Sequence, residues 1–315
     1  MPEWLIERGI GETRAALIQE GEIVEARIML DGMVRAGTIL EARLSQAGVS
    51  STALADGHEY LLPGGAPGIT HGAAMRIEVT REAIPGAEPW KRALARMTAD
   101  PPSPVPALTE REIAFLSPGG NALDEAGWDD LIEQARSGMV AFAGGVLRLS
   151  PTPAMTLIDV DGALPPPELA VVGAAAAAKA IRRLDIGGSI GIDLPTVGGK
   201  AFRLAAASAI DQHLPGPFER TAVNGFGFVQ IVRPRRRASL LEMWSDRPAA
   251  EARALLRRAA GAGLGARRLV AHPAVASALE HRPAWLDALA RQIGGPVSLR
   301  ADPSLPMSGG HAEPA

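Results

Sequence analysis

The sequence predicts an α+β chain in which a small β-barrel precedes an α/β sheet. Three observations carry this. Residues 4 to 82 alternate polar and apolar positions in short runs broken by glycine-bearing turns, which is hairpin patterning. From residue 128 onward, longer apolar strands alternate with alanine-rich helical segments. Between the two, Ala99 to Pro106 (ADPPSPVP) holds four prolines in eight residues and reads as an extended connector.

Taken in order, Trp4 to Ile6, Thr13 to Gln19 and Glu22 to Met29 read as strands, the last two joined by the Glu20-Gly21 turn. Thr38 to Leu44, Ser51 to Leu54, His58 to Leu62 and Ala74 to Thr80 continue the pattern. Counted from Glu22 these are five short strands, the number of an OB-like barrel. Beyond the connector, Trp128 to Arg136 predicts a helix and Gly145 to Leu149 a strand. The apolar run Met155 to Val160 is a strand carrying Asp159. Alanine-rich Glu168 to Leu184 is a helix by propensity, ended by Gly187-Gly188. Ser189 to Leu194 is a second apolar strand, carrying Asp193, and Lys200 to His213 a helix. Thr221 to Val223 and Phe226 to Val232 read as antiparallel strands. The last stretch predicts helices at Ala249 to Ala260, Pro273 to Glu280 and Ala284 to Ile293, strands at Arg268 to Val270 and Val297 to Leu299, and a frayed tail from Leu305.

Composition sets outer limits. A chain of 315 residues exceeds one comfortable core, so two or three domains are expected. With 47% apolar and 21% charged residues it belongs to the folded class. A net charge of −3 provides no global basic field, so any nucleic-acid contact depends on local patches. Absence of cysteine excludes disulfides, thiolate zinc sites, iron–sulfur clusters and a cysteine nucleophile. Arginine outnumbers lysine 29 to 3, which reads as genome composition rather than as a phosphate-binding signal. Glu3, Glu7 and Glu12 argue against a signal peptide, and the apolar run Leu169 to Ala178 is too short to span a bilayer. The expectation is a cytoplasmic protein with no membrane partner.

Asp159 and Asp193 are the most informative pair. Each stands near the carboxyl end of an apolar strand, and one helix separates the strands. A crossover of that length makes the strands parallel neighbours and brings both aspartates to one sheet edge, where open α/β folds bind ligands. Two close carboxylates favour a shared proton or a divalent cation. Oxygen ligands without cysteine favour magnesium or manganese over zinc. Asp161, on the same face two residues on, is a candidate third ligand or water-orienting group. An aspartate after a strand also serves as an ordinary cap or turn former. Arg233, Arg235, Arg236 and Arg237 form a basic run that suits phosphate or simply stands solvated. Lys91, Arg92 and Arg96, beside Trp90, suggest a single-strand contact on the barrel.

These residues resemble a known family. TLIDVDGA, RRLDIGGSIGIDLP and FGFVQIVRPRRRASLLE are similar to the catalytic core of the ribonuclease E/G family, which reads IDVN, then RDIGGLIVIDF, then a strand leading into TRKR and SL. Gly11 to Leu17 is similar to the family's amino-terminal strand and Gly68 to Thr98 to the end of its RNA-binding barrel. Trp128 to Gly162 is similar to the approach to its catalytic strand, and His272 to Leu305 to its carboxyl-terminal small domain.

The resemblance implies a magnesium-dependent endoribonuclease cleaving single-stranded RNA in RNA processing or turnover, with an RNase H-like and DNase I-like catalytic domain. Asp159 and Asp193 match the metal-binding aspartates, and Asp161 stands where the family has asparagine. Arg233 and Arg235 match the arginines of TRKR, with Pro234 in place of its lysine. The expected cofactor is magnesium, with manganese as the alternative and no zinc. The implied map is amino-terminal strands 1–35 packing on the catalytic region, a barrel at 36–98, and a linker with a reduced 5′-end sensor at 99–127. A metal-dependent catalytic domain at 128–245 and a small α/β domain at 246–315 complete it. Departures are visible. The cysteine pair that links protomers through zinc is absent, so any homodimer is not mediated by zinc. Positions that usually carry stacking phenylalanines read as Ala53 and Leu61. Two alternatives stand: an RNA-binding relative without efficient cleavage, and a phosphatase of the haloacid-dehalogenase type. IDVDGAL resembles the DxDGT loop of the latter, with Ala163 in place of threonine.

Overall fold

A computed structural model describes residues 3–48, 51–85, 91–104, 113–116 and 122–315. Strands β1 (Glu3–Arg8), β2 (Glu12–Gln19) and β3 (Glu22–Leu30) come first. Five barrel strands follow: β4 (Ile39–Gln46), β5 (Ser51–Ala55), β6 (His58–Leu62), β7 (Ala74–Arg81) and β8 (Leu94–Met97). Next are β9 (Ile113–Leu116), α1 (Ala122–Glu125), α2 (Trp128–Ser137), β10 (Met139–Phe142), β11 (Gly145–Pro151), β12 (Thr156–Gly162), α3 (Pro166–Arg183) and β13 (Gly188–Asp193). Then come α4 (Lys200–His213), β14 (Glu219–Arg220), β15 (Phe228–Arg233), α5 (Leu240–Met243), α6 (Arg247–Gly261) and β16 (Arg267–Ala271). The chain ends with α7 (Pro273–Glu280), α8 (Pro283–Ile293), β17 (Val297–Ala301) and β18 (His311–Pro314). The class is α+β, and the chain divides into two compact units.

The first unit gathers Met1–Asp31, Arg111–Asp130 and Met243–Ala315. Its sheets run β3-β2-β1-β9 and β17-β16-β18. Helix α6 starts where the Asp246 side chain accepts the Ala249 N–H and a proline occupies the first turn, a pairing that satisfies an otherwise orphan donor. Helices α6, α7 and α8 bury Leu255, Leu256, Val275, Leu279, Leu289 and Ile293 against Leu269 of β16. At its centre this unit holds charge. Glu7 and Arg14, opposite each other on β1 and β2, are almost wholly buried and make two parallel hydrogen bonds, at 3.0 and 2.7 Å. Arg14 also donates to Asp124 at 3.0 Å and lies 5.2 Å from the Trp128 ring centroid. Arg253 donates to Glu12 at 2.6 Å. Burial, then repulsion from Arg14, push the Arg257 guanidinium below its ordinary value, while Glu12 and Glu7 pull it back.

The amino-terminal strands share a unit with the carboxyl-terminal segment and are tied to it by the Glu12–Arg253 pair, a link between residues 241 apart that no local pattern signals. One expectation changes here. The tail expected to fray ends in a strand. Its backbone pairs antiparallel with Arg267 to Val270, and ladder hydrogen bonds need no apolar alternation.

The second unit contains the barrel and the longest sheet. The barrel closes in the order β4-β5-β6-β8-β7 around Leu44, Tyr60, Leu62, Ile77 and Val79. Five strands were expected from Glu22 onward. Instead Glu22–Leu30 pairs with β2, and the fifth barrel strand is the short β8, whose four residues carry little alternation. Ala53 faces the barrel core with no exposed surface, so no base can stack at that position. The barrel connects to the rest of the unit where Glu82 N–H donates to the Arg236 carbonyl at 2.8 Å.

The second sheet runs β10-β11-β12-β13-β15-β14, with β12 and β13 its parallel pair. Ile158, Val160, Ile190, Ile192, Val229 and Ile231 are buried on one face. Helix α3 lies there so closely that a Cβ on Gly173 would collide with Val160. The predicted strand at Thr221 to Val223 falls earlier, at Glu219–Arg220. The Asn224 side chain turns the intervening segment by accepting the Phe226 and Phe228 N–H groups.

Two outcomes follow from this packing. Arg14→Met, which strands the Glu7 carboxylate, lowers unfolding free energy by about 3–5 kcal/mol, and Glu7→Gln in the same chain restores much of the loss in denaturant titrations. Gly173→Ala, which in an exposed helix would gain about 1 kcal/mol, instead costs about 1–3 kcal/mol because Val160 is too stiff to yield.

Candidate active site

The face of the six-stranded sheet opposite Ile158 and Ile192 is open, and the predicted aspartates stand on it. Alternation places Asp159 and Asp161 on the same side of β12 and Asp193 on that side of β13, all three exposed. In the parallel register Asp159 is directly opposite Asp193. Neighbouring strands lie about 4.8 Å apart, so the two carboxylates occupy adjacent positions. Asp193 ends its strand, whereas Asp159 is the fourth residue of seven in β12. The pair therefore belongs to the open face near the carboxyl edge, not to a loop beyond it.

Electrostatics follow from that placement. Partial desolvation, then the charges of Asp161 and Asp193, push the Asp159 carboxyl above the usual aspartate value. Arg148, opposite Asp159 on β11, pulls it back, as does the Val160 N–H. The Arg148 guanidinium donates to Asp161 at 3.0 Å, so Asp161 already has a cationic partner. Among the described residues no group of three or more His, Asp or Glu side chains is gathered to hold a metal ion. Asp159 and Asp193 remain as a pair of hard oxygen donors whose mutual repulsion a divalent cation would relieve, a donor set that fits magnesium or manganese.

Apolar groups flank the pair. Phe228 lies directly opposite Asp193 on β15. Its ring covers Gly191, where a Cβ would come within 2.7 Å of it, and Leu157 closes in from β12 at 3.0 Å. The chain leaving Asp193 is clasped to the 224–227 turn, with Leu194 N–H donating to the Gly227 carbonyl at 3.2 Å. Gly227 has φ +92°, and a Cβ there would strike the Leu194 carbonyl oxygen. Only glycine meets both demands.

The arginine run lies elsewhere. Arg233 pairs with Gly188, at the opposite end of β13 from Asp193 and five residues from it, about 16 Å along the strand. Arg233 and Arg237 donate to Asp185 at 3.4 and 2.8 Å, and Arg235 to Glu242. Arg236 is exposed, with its carbonyl bound by Glu82. On the barrel, Arg92 pairs with Glu59 and Arg96 with Glu78, each at 2.6 Å, while the Lys91 carbonyl accepts the Ile84 N–H. Trp90 and most of the expected sensor segment lie outside the described residues.

No protein-family model matches this chain, and no curated protein matches it. No helix among the described residues is long and apolar enough to cross a membrane.

Arg148 went unread as a site residue in the sequence, and Phe226, read as the start of a strand, stands on the turn before Phe228–Arg233. Arg148 had a signal, because the turn at Thr152 to Met155 sets Pro151 opposite Thr156, and counting outward brings Arg148 opposite Asp159.

The raised Asp159 carboxyl has a sign that can be tested. Folding favours its protonated form, so it contributes stability at low pH that is lost as pH rises through the shifted value. Asp159→Asn removes that loss, and at neutral pH the thermal transition of the unit that holds it moves up by no more than about 1 °C, solvent screening at an exposed carboxylate keeping the effect small, in calorimetry without divalent cations. At pH 3 the difference vanishes.

Proposed function

We propose that this protein is a magnesium-dependent endoribonuclease acting on single-stranded RNA in RNA processing or turnover. The observation that carries the reading is the register match of Asp159 and Asp193 on an open sheet face, with the Asp159 carboxyl raised by partial desolvation and then by the charges of Asp161 and Asp193. The likeness of TLIDVDGA, RRLDIGGSIGIDLP and FGFVQIVRPRRRASLLE to the ribonuclease E/G core supports it, as does a closed five-stranded barrel compatible with an OB-like RNA-binding module. In this reading the β10–β15 sheet with α3 is the RNase H-like and DNase I-like catalytic domain.

Asp159 and Asp193 would hold the cation. Bound there, magnesium would polarise a phosphoryl oxygen and activate a water for hydrolysis that leaves a 5′-phosphate. The chain's own residues do the rest. Arg148 neutralises Asp161, which keeps a third negative charge from repelling the phosphate. Phe228 and Leu157 meet over Gly191 and give the pair an apolar neighbour on one side. Arg236, with Arg233 and Arg235, would grip phosphates about 16 Å from Asp193, a distance of a few nucleotides along an extended strand, so these arginines position the chain rather than the scissile bond. Lys91, Arg92 and Arg96 would extend that track over the barrel.

A second reading, an RNA-binding protein without efficient cleavage, is favoured by one observation: Asp161, the candidate third ligand, is held by Arg148, which leaves two carboxylates for a cation. One assay separates them. Purified protein is incubated with a labelled A/U-rich single-stranded RNA in magnesium or EDTA, beside Asp193→Asn. The nuclease reading expects cleavage that EDTA abolishes and the variant lowers by about 10³-fold or more. RNA that is bound in gel shifts but intact in every lane overturns it in favour of the binder.

A further inference from the structure

The side chain of Phe226 is 81% exposed, on the turn that precedes β15 and two residues before Phe228, the partner of Asp193. Water is a poor environment for a whole phenyl ring, and nothing about the turn is loose. The Asn224 carboxamide oxygen accepts both the Phe226 N–H at 2.9 Å and the Phe228 N–H at 3.0 Å. The Gly227 N–H donates to the Asn224 carbonyl at 3.2 Å. From the segment that leaves Asp193, the Thr196 hydroxyl donates to the Phe226 carbonyl at 3.0 Å. Gly227 admits no side chain against Leu194. The backbone of Phe226 is thus fixed from both sides while its ring is presented to solvent.

We propose that Phe226 is a base-stacking residue of the carboxylate site, holding the face of a nucleobase next to the phosphate presented to Asp159 and Asp193. This rests on the reading of the site as one for single-stranded RNA. A solvent-facing aromatic ring on a turn clasped to the chain that leaves Asp193 suits a flat, uncharged π-face attached to an anion. A paired base keeps its faces within its own stack, so such a ring also selects unpaired strands. Two residues on, Phe228 faces Asp193 across the strand pair, so the turn that carries the ring adjoins the strand position of a carboxylate.

The test uses the full chain in EDTA, where binding is read without cleavage. The probe is a short A/U-rich single-stranded oligoribonucleotide carrying 2-aminopurine, whose fluorescence is quenched by stacking. The unaltered chain is expected to quench it on binding. Phe226→Ala is expected to lose the quench and to bind about 5- to 100-fold more weakly, while Phe226→Trp keeps both. Equal affinity and equal quench in Phe226→Ala overturn the stacking role, and magnesium-dependent cleavage by the same preparation then leaves the nuclease reading standing. If the unaltered chain neither binds nor cuts the RNA, both readings fall. A change in sedimentation of Phe226→Ala with RNA affinity unaltered makes the ring a protein contact and overturns the proposal.

Discussion

Parallel pairing between β12 and β13 is the constraint from which the second unit follows. Parallel neighbours cannot be joined by a tight turn, so the chain must cross the sheet, and α3 is that crossing. For the crossing to lie flat, α3 needs small residues. Its run of alanines and Gly173 bring it down onto Val160, which fills one face of the sheet and leaves the other uncovered. The same register sets Asp159 against Asp193 on that uncovered face. An antiparallel pairing of these two strands would have reversed one of them and separated the carboxylates.

Much of this was readable beforehand because it is local. Helix α4 and helix α7 begin and end where propensity and punctuation predict, and the crossover between two apolar strands required only its length. What escaped detection depended on partners distant in sequence. Glu22–Leu30 alternates as a barrel strand would, but its pairing with β2 decides its sheet. The strand at His311–Pro314 has no apolar signature because its neighbour supplies the hydrogen bonds. The site was half visible. The aspartates announce themselves as charges interrupting apolar runs, whereas Arg148 is one arginine among 29 until the hairpin register singles it out.

The first unit solves a different problem. Glu7, Glu12, Arg14 and Arg253 occupy positions that apolar residues of similar volume would fill at no electrostatic cost. What the ion pairs do is penalise their own separation. Glu7 accepts both arms of one guanidinium and Arg14 reaches Asp124 with the remaining one, so an arrangement that parts these segments leaves a buried charge uncompensated.

The arginine run after β15 carries a consequence for solution behaviour. Each guanidinium held by Asp185 or Glu242 already has its counter-ion within the chain. A polyanion docking there frees those carboxylates, which recruit cations from solvent and offset the cations shed by the polyanion. Net ion release is then small. Where four unpaired arginines on a single strand would give a log–log slope of affinity against salt near −2.8, at about −0.7 per phosphate, this run tends toward the slope of the exposed Arg236 alone. Attraction at this surface therefore varies only weakly with ionic strength.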